Sequence, residues 1–166
     1  MSVVLLALVC QTLAWGTDGH KIVAQIAYNL LSSSAQSSLK SELQGKTLAD
    51  IAPWADSYRT TPGVSLNILY LIKKIQGRWS SSCHYVNFPR DATDFEWSYC
   101  PSYCVVRSIN NYTAILEKDS NGICTDYQDI CSLAMLVHFV GDIHQPLHVK
   151  SKKILSSKFF KTVRLR

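Results

Sequence analysis

The sequence predicts an all-α protein, and three observations carry that expectation. Apolar residues recur at three-to-four spacing along most of the chain, as they do on the buried stripe of a helix. No turn signal lies between two alternating apolar runs, so hairpins are not indicated. The 166 residues are 47% hydrophobic and 17% charged, enough for one domain with a sizeable core and no internal repeat. That composition excludes intrinsic disorder, and no apolar run approaches the roughly 18 residues of a membrane span.

Each helix has its own signature. Ile22, Val23, Ile26, Ala27 and Leu30 form the first stripe, with Asp18 placed to cap it and the Ser32–Ser34 run to stop it. Ala35, Leu39 and Leu43 predict a second helix after Ser34. Thr47-Leu48-Ala49-Asp50 reads as a capping box before Ile51 and Ala55, where Pro53 should kink or restart the helix. Val105, Ile109, Tyr112 and Leu116 give a further stripe. The longest helix is expected to begin near Asp129 and to carry Leu133, Leu136, Val137 and Val140 towards His144. Two stretches break the pattern: Val64–Gln76 is abruptly aliphatic and 150–166 abruptly basic.

That basic stretch also explains the net charge of +5. It holds seven of the 17 Lys and Arg and no acid, leaving ten basic residues against 12 acidic ones, a net of −2. The body of the protein is mildly acidic, so its charge does not indicate phosphate-backbone binding.

Residues 1–14 read as a secretory signal peptide, with an apolar run from Val3 to Cys10 and small residues before Trp15. The alternative is a buried amino-terminal helix. Cleavage would make Trp15 the first residue and leave Cys83, Cys100, Cys104, Cys124 and Cys131, an odd number with at least one unpaired thiol. The spacings Cys100-x3-Cys104 and Cys124-x6-Cys131 suit disulfides better than a zinc knuckle. A glycosylation sequon at Asn111-Tyr112-Thr113 fits the same secreted or vacuolar compartment.

Three of the five histidines fall in one short run, His138-Phe-Val-Gly-Asp142-Ile-His144-Gln-Pro-Leu-His148. On a helix, Asp142 lies only about 40° from His138, and His148 joins that face more readily than His144. A lone histidine on an apolar helix is usually a satisfied core residue. Three with an interleaved aspartate match the imidazole and carboxylate set of a catalytic zinc site. A free Trp15 could chelate through its amine and carbonyl oxygen, because an α-amino group near pKa 8 loses its proton cheaply. His20 would stand beside it at the start of the first helix. Trp54-Ala55-Asp56 offers a carboxylate, with Arg59 one turn on. As a surface pair these two would contribute little.

Together, Trp15-Gly16-x-x-Gly19-His20, Trp54-Ala55-Asp56-x-x-Arg59, His84-Tyr85-Val86-Asn87 and the His138–His148 run resemble the secreted zinc-dependent single-strand-specific nucleases of plants and fungi, typified by mung bean nuclease. The likeness covers 15–63 and 77–149, the amino-terminal half or slightly more of a family member. It implies the helical fold shared with bacterial zinc-dependent phospholipase C, here stopping short on the C-terminal side. It also implies three zinc ions: one on Asp56, His84, His138 and Asp142, a second on Trp15, His20 and Asp142, and a third begun by His148. Arg59 would sit near the scissile phosphate and Tyr85 would stack on a base, while His144 would be a supporting or core residue. The implied reaction is hydrolysis of RNA and single-stranded DNA to 5′-phosphorylated products, by a monomer with no membrane partner. A phospholipase reading ranks lower, because the motifs around Trp15 and His84 are nearer the nucleases.

The departures are specific. The family completes its third site with a later His and Asp, and neither follows His148 here. Val64–Gln76 lengthens the spacer between Asp56 and His84, and both foreign stretches begin at or beside a valine, as translated intron would. The chain is therefore expected to be feebly active as it stands. The rival expectation is an inactive secreted zinc-binding fragment from a truncated or mis-spliced transcript.

Overall fold

The computed structural model describes residues 16–60, 79–89, 92–118 and 131–150. The expected signal peptide, Trp15, the 64–76 insertion, Asp129 and the basic tail beyond Lys150 lie outside the described residues.

Helix α1 spans Thr17–Asn29 and α2 spans Ser33–Glu42. Asp18 does not cap α1: Gly16 is the N-cap, without a side-chain bond, and Asp18 lies inside the first turn. There a carboxylate still complements the positive end of the helix dipole. Ser32 caps α2, its hydroxyl accepting from the Ala35 amide at 3.3 Å, so this helix starts slightly earlier than expected. The capping box forms as predicted. The Thr47 hydroxyl accepts from the Asp50 amide, and the Asp50 carboxylate accepts from the Thr47 amide at 2.8 Å. It opens α3, Leu48–Ile51, and beyond Pro53 the chain restarts as α4, Trp54–Thr60. Pro lacks the amide that an uninterrupted helix would need here.

A 3-10 segment, Trp79–His84, leads to strand β1, Val86–Asn87. A second 3-10 turn, Trp97–Tyr99, precedes α5, Val105–Lys118. Helix α6 runs Ser132–Ile143 and is followed by β2, Val149–Lys150. The two short strands pair in parallel, Val86 opposite Val149, in an otherwise helical architecture. No described helix is long and apolar enough to cross a membrane.

Two apolar clusters flank α6. One gathers Val86, Val105, Ile109, Tyr112, Met135 and Phe139, with the disulfide Cys100–Cys104 at its edge. The other gathers Ala24, Leu43, Leu48, Ile51 and Ala134. Cys131 is also disulfide-bonded, and Cys83 is a buried free thiol, which accounts for the odd count. Asn111 is exposed on α5.

Candidate metal centre

Five elements converge where α6 passes between the two clusters. Helix α1 brings His20, α4 brings Asp56, the 3-10 segment brings His84, α6 brings His138 and Asp142, and the turn before β2 brings His148. His20, His84, His138 and Asp142 are each no more than 1% exposed. Water does not compensate these polar groups, so their partners must be in the protein or bound to it.

The Oδ2 of Asp142 lies 2.8 Å from His84 Nδ1 and 3.2 Å from His138 Nε2, which are 3.0 Å from each other. Asp56 Oδ1 stands 3.9 and 3.8 Å from the same two nitrogens. Four ligands at 2.0–2.1 Å from a tetrahedral zinc would be separated by about 3.3–3.4 Å. The five measured separations scatter to either side of that value. The donor set therefore fits one metal ion in size and chemistry.

The hydrogen bond at the far side of the His138 ring orients that donor. His138 Nδ1 is 2.8 Å from the carbonyl oxygen of Ala52, at the junction of α3 and α4. A carbonyl can only accept, so Nδ1 carries a proton and Nε2 is the nitrogen turned towards Asp142. Either a proton or a metal ion between Nε2 and the carboxylate oxygen makes this 3.2 Å approach favourable. Two buried nitrogens, His20 Nδ1 and His84 Nε2, have no hydrogen-bond partner among the described residues. Each is the ring nitrogen opposite the one that faces Asp142, so the pair costs stability without adding to the donor set.

The other oxygen of Asp142 looks elsewhere. Oδ1 lies 3.0 Å from His148 Nδ1 and 3.5 Å from His20 Nε2. His148 Nδ1 also donates to the His84 carbonyl at 2.6 Å, linking the 3-10 segment to the end of α6. The His20 ring stacks on His138 at 3.9 Å between centroids. His20, Asp56 and His138 also have donor atoms within 4.8 Å of one another, so Asp56 adjoins both groups.

The protonation states suit cation binding. Burial lowers the His20 imidazole to about 4, with His138 adding repulsion. Burial also lowers His84, outweighing the opposing pull of Asp142. For Asp142, burial alone would raise the carboxyl, but the imidazoles of His138, His148 and His84 outweigh it and hold it well below the usual range. His148 is the converse: burial opposes the charge, yet its bond to Asp142 raises it. The lowered imidazoles of His20 and His84 beside an ionised carboxylate suit a divalent metal.

At the rim, the Arg59 guanidinium donates to Asp56 Oδ1 at 3.0 Å and remains a third exposed. Tyr85, next to the buried His84, is 41% exposed. His144 departs from expectation. It is exposed, its Nδ1 donating to the Val140 carbonyl, and it belongs to neither the core nor the centre. It stands just past the last helical residue, where the chain leaves the α6 face that carries His138 and Asp142. The Ala52 carbonyl and the bare backbone of Gly141 against His20 were not legible in advance; an interior helix glycine was the one hint.

The S1/P1 Nuclease family matches residues 15–155. The chain is 36% identical over 152 residues to nuclease S1 of Aspergillus oryzae, covering 89% of itself and 48% of that protein. It is 32% identical to nuclease P1 of Penicillium citrinum, covering 87% and 50%. Endonuclease 5 of Arabidopsis thaliana is 33% identical over 162 residues, covering 87% and 49%. The chain thus spans about half the length of the curated relatives it matches.

Proposed function

Since the chain belongs to the S1/P1 nuclease family, we propose that it carries the amino-terminal part of a zinc-dependent endonuclease centre acting on RNA and single-stranded DNA. The observation that supports this most is the position of Asp142: one oxygen faces His84 and His138, the other faces His20 and His148. A carboxylate so placed can bridge two metal ions. In this reading Asp56, His84, His138 and Asp142 hold one zinc, and Trp15, His20 and Asp142 hold a second. His148 belongs to a third. When bound, the ions supply Lewis acidity at a phosphoryl group and a means of deprotonating water near neutral pH.

The chain's own residues then divide the remaining work. Asp142, held ionised by its imidazole neighbours, would balance cationic charge, and Asp56 would add a second oxygen donor. The Ala52 carbonyl, by taking the His138 Nδ1 proton, keeps that ring turned with Nε2 inward. Arg59, tethered by Asp56 and open to solvent, is placed to bind a non-bridging phosphate oxygen. Tyr85 offers an exposed ring to an unstacked base, which a single strand can present and a duplex hides. Cleavage leaves the phosphate on the 5′ side. Removal of residues 1–14 exposes the Trp15 amine, and secretion with Asn111 glycosylation follows from the same reading.

Zinc content of the purified chain, measured beside digestion of single-stranded DNA, tests this. Bound zinc with chelator-sensitive cleavage is the expected result. Zinc without cleavage identifies a metal-binding polypeptide that lacks the catalysis. Absence of zinc overturns the reading.

A further inference from the structure

Gly141 occupies the interior of α6 without needing glycine for any turn, and there glycine weakens a helix relative to alanine. The reason for a bare backbone is visible across the helix pair. A Cβ built on Gly141 would come 2.3 Å from Nδ1 of His20, 3.1 Å from its Cε1 and 3.3 Å from its Cγ. No real Cβ sits that close to a ring, and this ring has nowhere to retreat. It is stacked on His138 one turn earlier in α6, at 3.9 Å and 15° between planes. It is also almost completely buried, with Nε2 aimed at Asp142 Oδ1.

We propose that Gly141 is the positioning residue that lets His20 reach the bridging carboxylate, and that it serves the His20 side of the centre before the other. The residues that face Asp142 Oδ2 are His84 of the 3-10 segment and His138, whereas the three atoms nearest to a side chain at 141 all belong to His20. The two sides of Asp142 should therefore respond differently to one added methyl group. The inference about packing stands on geometry; its metal readout rests on the zinc reading above.

The test is a mutant cycle in the full chain. In metal-stripped protein, Gly141→Ala should lower Tm, although alanine in open helix would raise it. In a His20→Ala background, where the ring is gone, the same substitution should raise Tm. Zinc titration should show the His20-side site about 10–100-fold weaker in Gly141→Ala, in the range of lost ligand support, with a distinctly smaller loss at the Oδ2-side site. A purely structural role would weaken both sites alike. If Gly141→Ala does not fold, a folded His20→Ala/Gly141→Ala chain supports the proposal and an unfolded one overturns it. Equal Tm changes in both backgrounds, or equal loss at both zinc sites, also overturn it. If the unmodified chain binds no zinc, the zinc reading fails while the metal-free Tm cycle still decides the role of Gly141.

Discussion

The two sides of Asp142 are built by different physics. Oδ2 faces His84 and His138, whose rings meet Phe139 edge-on in the aromatic cluster that also holds Tyr112 and borders the Cys100–Cys104 disulfide. Oδ1 faces His20, on a helix whose Ala24 packs in a cluster of smaller residues with Leu48, Ile51 and Ala134. The first side is held by bulk and by a hydrogen bond behind His138. The second relies on the close approach of two helices. One carboxylate joins them, so its environment couples two cores that otherwise share few large side chains.

The severest break in this comparison is at the shared residue. Asp142→Asn removes the charge both sides need and should abolish nearly all zinc binding, whereas His84→Ala should spare the His20 side. Loss of metal stabilisation worth several kcal/mol corresponds to roughly a thousandfold in rate. Equal zinc content in the two variants, by metal analysis, would place the bridge elsewhere.

The aromatic side can be probed without touching a ligand. Burial raises the Tyr112 phenol to about 12 from its ordinary 10, with Cys83 and Tyr58 adding to the shift. The folded state thus keeps its proton where the unfolded chain has lost it. The associated stability is complete below pH 10 and declines as pH rises from 10 towards 12. Two pH units amount to about 3 kcal/mol at most. Thermal melts of metal-stripped protein should show this alkaline decline, and Tyr112→Phe should flatten it.

At the rim the expected effect is on substrate rather than on the core. Stacking contributes about 1–3 kcal/mol per base, so Tyr85→Ala should lower kcat/KM on single-stranded DNA by about 5- to 150-fold. Tyr85→Phe should retain the activity, and zinc content should stay constant in both. Smallest of all is His144→Ala. Exposed and outside the centre, it should change stability by no more than about 0.5 kcal/mol and leave metal binding unaltered.

Much of this molecule follows from local pattern. The stripe at Val105–Leu116, the box at Thr47–Asp50 and the interruption at Pro53 depend on neighbours within one or two turns, so the residues themselves set them. The first helix forms where its periodicity predicts, but Ile22, Ile26 and Leu30 are exposed, and α1 turns His20 and Ala24 inward instead, a choice made by packing rather than by hydrophobic spacing. The i,i+4 pairing of His138 with Asp142 is likewise a property of a single helix, seen at 3.2 Å. Cap identity was less secure: Gly16 and Asp18 compete within one turn, and backbone geometry chose Gly16. What lay beyond local reach was which groups approach from other elements. The Ala52 carbonyl is 86 positions from the ring it orients, and the His84 carbonyl is 64 from His148. The division of Asp142 between two sets of imidazoles, and the bare backbone of Gly141 under His20, exist only once α1 and α6 pack. Sequence determined the imidazole and carboxylate types of the candidate centre and the helix that carries two of them. Tertiary packing decided which oxygen each imidazole faces, because backbone carbonyls and close helix approach leave no residue-specific mark in a chain read one turn at a time.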